Sequence, residues 1–104
     1  MDRVLGKRQQ AAEARMKIVF ARDALDDLDQ IDTFIAQDKP AVARQQIGRL
    51  KEAVLTLADH PMIGPPDEIS GMRKLVRTPY IIHYRVERNR VVILRIRHGR
   101  QHPL

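Results

Sequence analysis

The chain has 104 residues and a mass of 12.0 kDa, the size of one small domain. It carries 19 Lys+Arg against 13 Asp+Glu, a formal net charge of +6, and no cysteine, which excludes a disulfide scaffold, a Cys-ligated zinc or iron–sulfur centre and a thiol nucleophile and fits a cytoplasmic setting. No apolar run approaches the ~18 residues of a spanning helix, no secretory h-region opens the sequence, and two Phe, two Tyr and no Trp leave few platforms for stacking on single-stranded nucleic acid.

Residues 1–15 are polar and show no strong apolar period, so they read as an extension. The domain is expected to span 16–104, opening with the strand-like run Lys17-Ile18-Val19-Phe20. Residues 23–37 predict a helix, with Leu25, Leu28, Ile31 and Ile35 recurring at spacings of three and four. Asp23, Asp26 and Asp27 sit near its start, where the helix dipole favours negative charge. Pro40 stops this helix and suits the first turn of the next. Residues 40–59 predict that second helix, with Ala43, Ile47, Leu50, Val54 and Leu57 as its buried stripe. The short connection makes the two an antiparallel hairpin. Residues 62–71, with two Gly and two Pro, read as a loop.

Beyond the loop the apolar period falls to two. Met72–Arg77, Tyr80–Glu87 and Val91–His98 read as strands, and Arg88-Asn89-Arg90 reads as a tight turn with Asn89 taking positive φ. Alternation sorts the side chains into two faces. Tyr80, Ile82, Tyr84 and Val86 share one with Val92, Leu94 and Ile96. Ile81, His83 and Arg85 share the other with Val91, Ile93, Arg95 and Arg97, joined by Arg73 and Arg77. The order strand, helix, helix, strand, strand, strand predicts an α+β fold. In it, a two-helix hairpin packs on one face of a mostly antiparallel sheet.

The charge is segregated. Residues 17–70 hold six Lys/Arg and ten Asp/Glu, whereas residues 71–104 hold nine Lys/Arg and one acid, Glu87. The C-terminal third is therefore a cationic surface suited to phosphate or to an acidic protein. Val91, Ile93 and Ile81 are expected outward, unusual for pure solvent contact, and would meet an amphipathic acidic partner. The four histidines, His60, His83, His98 and His102, show no metal-ligand spacing, and the Asp-rich helix cannot wrap a cation as a loop does. No metal or other cofactor is expected.

The strand-opening MKIVF, the acidic helix ALDDLDQIDTFIA, the helix KPAVARQQIGRLKEAVLTLADHP and the loop IGPPDE precede the block MRKLVRTPYIIHYRVERNRVVILRIRHGRQ. Over about residues 16–102 this sequence resembles the RelE/ParE superfamily of type II toxins and looks closer to ParE. The resemblance implies a toxin neutralised by a cognate ParD-like antitoxin with an acidic, amphipathic tail, as a hetero-oligomer. ParE-like members poison DNA gyrase; RelE-like members cut mRNA on the ribosome.

On the gyrase reading the chain breaks no bond itself. Arg73, Arg77, His83, Arg85, Arg95 and Arg97 are then the expected target- or antitoxin-binding residues, with Ile81, Val91 and Ile93 as apolar antitoxin contacts. On the ribonuclease reading His83, Arg85, Arg95, Arg97 and His98 are the catalytic candidates. A histidine among arginines can serve as base while the arginines stabilise a pentavalent phosphate. A third reading is a degenerate, non-toxic module that binds antitoxin or nucleic acid.

Overall fold

The computed structural model describes residues 15–101. Strand β1 (Lys17–Phe20) leads into helix α1 (Arg22–Ala36) and helix α2 (Pro40–Asp59). Strands β2 (Arg73–Arg77), β3 (Tyr80–Val86) and β4 (Arg90–His98) follow, and a 3-10 turn covers Gly99–Gln101. The four strands form one sheet in the order β1-β4-β3-β2. β1 runs parallel to β4 and the other pairs are antiparallel. This is the predicted α+β order. The expected extension lies, apart from Arg15, outside the described residues. Arg15 itself pairs with Asp59 at 2.9 Å, and Met16 N–H donates to the Ala58 carbonyl at 2.9 Å, fastening the start of β1 to the end of α2.

Pro40 opens α2, where its missing N–H costs nothing. The stripe expected on α2 is buried at Ala43, Leu50, Val54 and Leu57, with Ile47 packed partly against the core. The α1 stripe is rotated from its expected position. Ala24 and Asp27 are buried and Leu28 and Ile31 are half-buried, while Leu25 is 52% and Phe34 74% exposed. The helix turns an acid inward because that acid has partners on β4, described below.

The helices cover the sheet face that carries Tyr80, Ile82 and Tyr84, as expected. On β4 the expected faces are half wrong. Tyr84 pairs with Ile93 and His83 with Arg95, so Leu94 is an extra residue, a β-bulge. The bulge shifts the parity of the strand. Before it, Val91 and Ile93 align with Val86 and Tyr84 and are both 0% exposed in the core; after it, Ile96 aligns with Ile82. Val91 and Ile93 therefore do not line an outward surface, and Val92 sits on the face of Arg85 rather than beside Ile96. The β3–β4 turn closes with the Glu87 N–H on the Arg90 carbonyl at 2.8 Å. Asn89 does not take positive φ; among the described residues no non-glycine does.

Candidate functional site

The face of the sheet away from the helices is built in rows by strand register. One row is Lys74–His83–Arg95 and the next is Val76–Ile81–Arg97. Arg85 stands opposite Val92 beyond them. Arg73 and Arg77 do not join this face. Their partners are Tyr84 and Tyr80, which puts them on the helix side of β2, the edge strand. There Arg73 donates to the Met62 carbonyl at 3.3 Å and Arg77 to its neighbour Val76 at 3.0 Å. The expected six-residue basic stripe is thus split between two faces, and Lys74 stands where an arginine was expected.

His83 is not a solvated member of the stripe. It is 0% exposed, and its Nδ1 lies 2.6 Å from Oδ2 of Asp67, whose own side chain is 2% exposed. Asp67 reaches it from the loop between α2 and β2. That loop runs along the outer edge of β2, with the Lys74 N–H on the Pro65 carbonyl at 3.0 Å and a bridge from Pro66 to Arg73. Burial works against the Asp67 charge. The His83 bond, the Glu68 N–H and nearby Lys74 outweigh it and hold the carboxyl below its ordinary value.

Arg95 is likewise engaged. Its guanidinium grips Asp27 with two bonds, Nε to Oδ2 at 2.8 Å and Nη2 to Oδ1 at 3.0 Å. The Asp27 bond raises the Arg95 pKa above its ordinary value, against the effect of burial. Oδ2 of Asp27 also accepts the Ile96 N–H at 2.9 Å. At the exposed hairpin tip, Arg85 pairs with Glu87. His98 stacks edge-on against Tyr80 with ring centroids 5.7 Å apart, and its Nδ1 accepts the Arg100 N–H at 3.1 Å. Burial pushes the Tyr80 hydroxyl up. Arg97, Arg100, Arg73 and Arg77 have no carboxylate within ion-pair reach among the described residues.

Two hollows flank α1. One, about 440 Å³, lies between α1 and the C-terminal half of β4, and Gln30, Phe34, Tyr80 and Arg97 line part of it. The other, about 310 Å³, is nearly all apolar and is walled by Ile18, Phe20, Leu25 and Leu55 among others. Among the described residues no cluster of His, Asp and Glu is placed to hold a metal ion; His102 lies outside them. No helix among them is long and apolar enough to cross a membrane.

Asp27 and Asp67 were missed by the reading of the sequence. Asp27 left a signal, an acid three residues after Ala24 and four before Ile31, inside the arc that α1 buries. Asp67 left none, because nothing local connects a Pro-rich loop to a histidine 16 residues later.

Residues 18–103 match the family described as "ParE toxin of type II toxin-antitoxin system, parDE". The chain is 39% identical over 90 residues to the Sinorhizobium fredii protein named "Putative toxin Y4kP", covering 85% of this chain and 93% of that protein. Among solved structures it is similar to the chromosomal ParDE system of P. aeruginosa, with a TM-score of 0.73 and 29% identity over 82% of this chain and 97% of that one. It shares its fold with the RelBE2 complex of Mycobacterium tuberculosis, at a TM-score of 0.62 and 23% identity over 81% and 98% of the two chains.

Proposed function

Because the chain belongs to the ParE toxin family of type II toxin–antitoxin systems, we propose that it acts by binding DNA gyrase and trapping its cleavage complex, and that an acidic ParD-like antitoxin restrains it. The observation that carries this reading is the state of His83. Metal-independent RNA cleavage needs a group that can take a proton from a solvent-facing 2′-hydroxyl. His83, one of the two histidines among the catalytic candidates, is fully buried on Asp67. Arg95, the expected phosphate stabiliser beside it, is committed to Asp27. His98 packs on Tyr80 and accepts a backbone N–H. These groups hold the fold together, which favours a toxin that works by docking over one that breaks a phosphodiester bond.

Charge supports the same reading. Nine Lys/Arg against one acid in residues 71–104 suit an acidic antitoxin and a DNA-bound target. The P. aeruginosa relative is itself a ParDE system.

The test is to incubate antitoxin-free protein with gyrase, ATP and relaxed plasmid. Blocked supercoiling with accumulation of linear DNA is the expected result. Unimpaired gyrase together with ribosome-dependent mRNA cleavage would replace this reading with the ribonuclease one. Inactivity in both assays and no growth arrest on expression would favour the degenerate module.

A further inference from the structure

We propose that the end of the sheet carrying Arg77, Arg97 and Arg100 grips the phosphate backbone of duplex DNA. The contact belongs to this chain alone and goes beyond the gyrase reading. Where gyrase is the target, it sets the toxin on the DNA that gyrase holds.

Strand register gathers these residues. Arg77 closes β2 and pairs with Tyr80 at the start of β3. Tyr80 pairs with His98 and Ile81 with Arg97, so the C-terminal end of β4 lies at the same end of the sheet. The Gly99 N–H donates to the Pro79 carbonyl at 2.8 Å. That bond ties the 3-10 turn, which carries Arg100, to the turn between β2 and β3.

The two ends of the sheet treat their cations differently. At the far end, where Val86 pairs with Val91, Arg85 and Arg90 both pair with Glu87. At the near end Arg77, Arg97 and Arg100 have no carboxylate within ion-pair reach among the described residues. Asp27 lines the hollow beside Arg97, but Arg95 holds it with two bonds. Arg97 bears a second mark. Its Nε is shielded from solvent and finds no acceptor among the described residues. A shielded donor without an acceptor is costly, and a ligand oxygen that draws the guanidinium round would relieve it.

Geometry selects the ligand. Arg77 lies on the helix face and Arg97 on the opposite one, so the two straddle the sheet end. They stand two strands apart, roughly 10 Å at the usual strand spacing. The major groove of DNA, about 12 Å wide, admits a two-stranded ribbon. A sheet end of this shape can rest there with one cation toward each backbone, and the arginine fork matches phosphate. Between the arginines, Thr78, Pro79, Gly99 and Gln101 supply no aromatic or methionine anchor for a protein interface. Surfaces that meet DNA are more polar and more positive than those that meet protein. The end therefore suits DNA over an acidic protein.

The test is anisotropy of a short fluorescent DNA duplex titrated with the full, antitoxin-free chain at several salt concentrations. Binding should weaken with salt, with a log–log slope of about −2.7 for three neutralised phosphates. Arg100→Ala changes an exposed side chain and should make that slope shallower by about 0.9. Arg77→Ala and Arg97→Ala should each do the same, whereas Arg97→Lys keeps the charge and should keep the slope. Arg85→Ala and Arg90→Ala remove equal charge from the far end and should leave the slope unchanged.

No binding at low salt with roughly 100 μM protein, the weak end of non-specific affinities, would overturn the proposal. So would an unchanged slope in Arg100→Ala, or an equal loss in the Arg85 and Arg90 variants, which would mean diffuse net charge. Polyglutamate held more tightly than the duplex, through the same arginines, would also overturn it and give this end to an acidic protein. The DNA contact and the gyrase reading fail separately. Duplex binding through these arginines by a chain that leaves gyrase unimpaired keeps the proposal and removes that reading. Gyrase trapped by a chain that does not bind duplex does the reverse.

Discussion

His83 and Asp67 meet through a 2.6 Å contact between Nδ1 and Oδ2, with both side chains withdrawn from solvent. The contact joins the middle of β3 to a Pro-rich loop that skirts β2, so it fixes the loop against the face that carries Arg97. A buried carboxylate is stable only while its partners remain, and breaking such a pair leaves an uncompensated group inside. Asp67→Ala should therefore lower unfolding free energy by about 3 kcal/mol, measured by urea denaturation.

Acid gives the same contact a sharper signature. The Asp67 carboxyl titrates below its ordinary value of 3.8 in the folded chain. A depressed carboxylate contributes stability that is fully present above the unfolded value and is lost as pH falls through the folded one. The stability advantage of the wild type over Asp67→Asn should thus narrow as pH drops below 3.8. An advantage that persists unchanged into stronger acid would show that the ionised form of Asp67 contributes nothing.

Asp27 serves two groups at once, the Arg95 guanidinium and the Ile96 N–H. Asp27→Ala strands both and should cost about 2 kcal/mol. Asp27→Asn keeps an oxygen for the N–H and loses only the charge on Arg95, so its cost should be smaller. Arg95→Ala should cost less in the Asp27→Ala background than alone, a coupling that a double-mutant cycle reads directly.

The element order, the α2 stripe and the Tyr80, Ile82, Tyr84 face were legible because each follows from a local period. The β4 faces were not, because one extra residue at Leu94 inverts the parity and leaves no mark in the sequence. Alternation placed Val91 and Ile93 outward; the register places them beside Val86 and Tyr84. The basic stripe failed for a related reason. Whether Arg73 and Arg77 share a face with Arg97 depends on how β2 pairs with β3, which no single strand encodes. A substitution separates the two assignments. Ile93→Ala should cost about 3 kcal/mol, as for a fully buried isoleucine, and the half-buried Ile81→Ala clearly less. Equal, small effects would return Ile93 to the surface.

Tyr84 and Gly64 supply the last prediction. The Tyr84 hydroxyl donates to the Pro61 carbonyl at 2.8 Å and accepts the Gly64 N–H at 2.9 Å, so one core side chain holds the start of the Asp67 loop. Gly64 has no room for a larger residue. A Cβ there would collide with the backbone carbonyl of Lys74 and stand 2.8 Å from the Tyr84 hydroxyl. The carbonyl belongs to β2 and cannot swing aside as a flexible side chain would. Gly64→Ala should therefore cost about 2 kcal/mol, and Tyr84→Phe about 1 kcal/mol through its lost hydrogen bonds. Combining them should give less than the sum, since removing the hydroxyl relieves one of the two collisions, but the Lys74 carbonyl keeps the penalty from vanishing. The loop displaced by Gly64→Ala is the one that delivers Asp67 to His83. The same variant should therefore blunt the acid sensitivity below pH 3.8 that marks the Asp67–His83 contact. A destabilised Gly64→Ala protein with that sensitivity intact would mean that the loop absorbs the strain before it reaches Asp67.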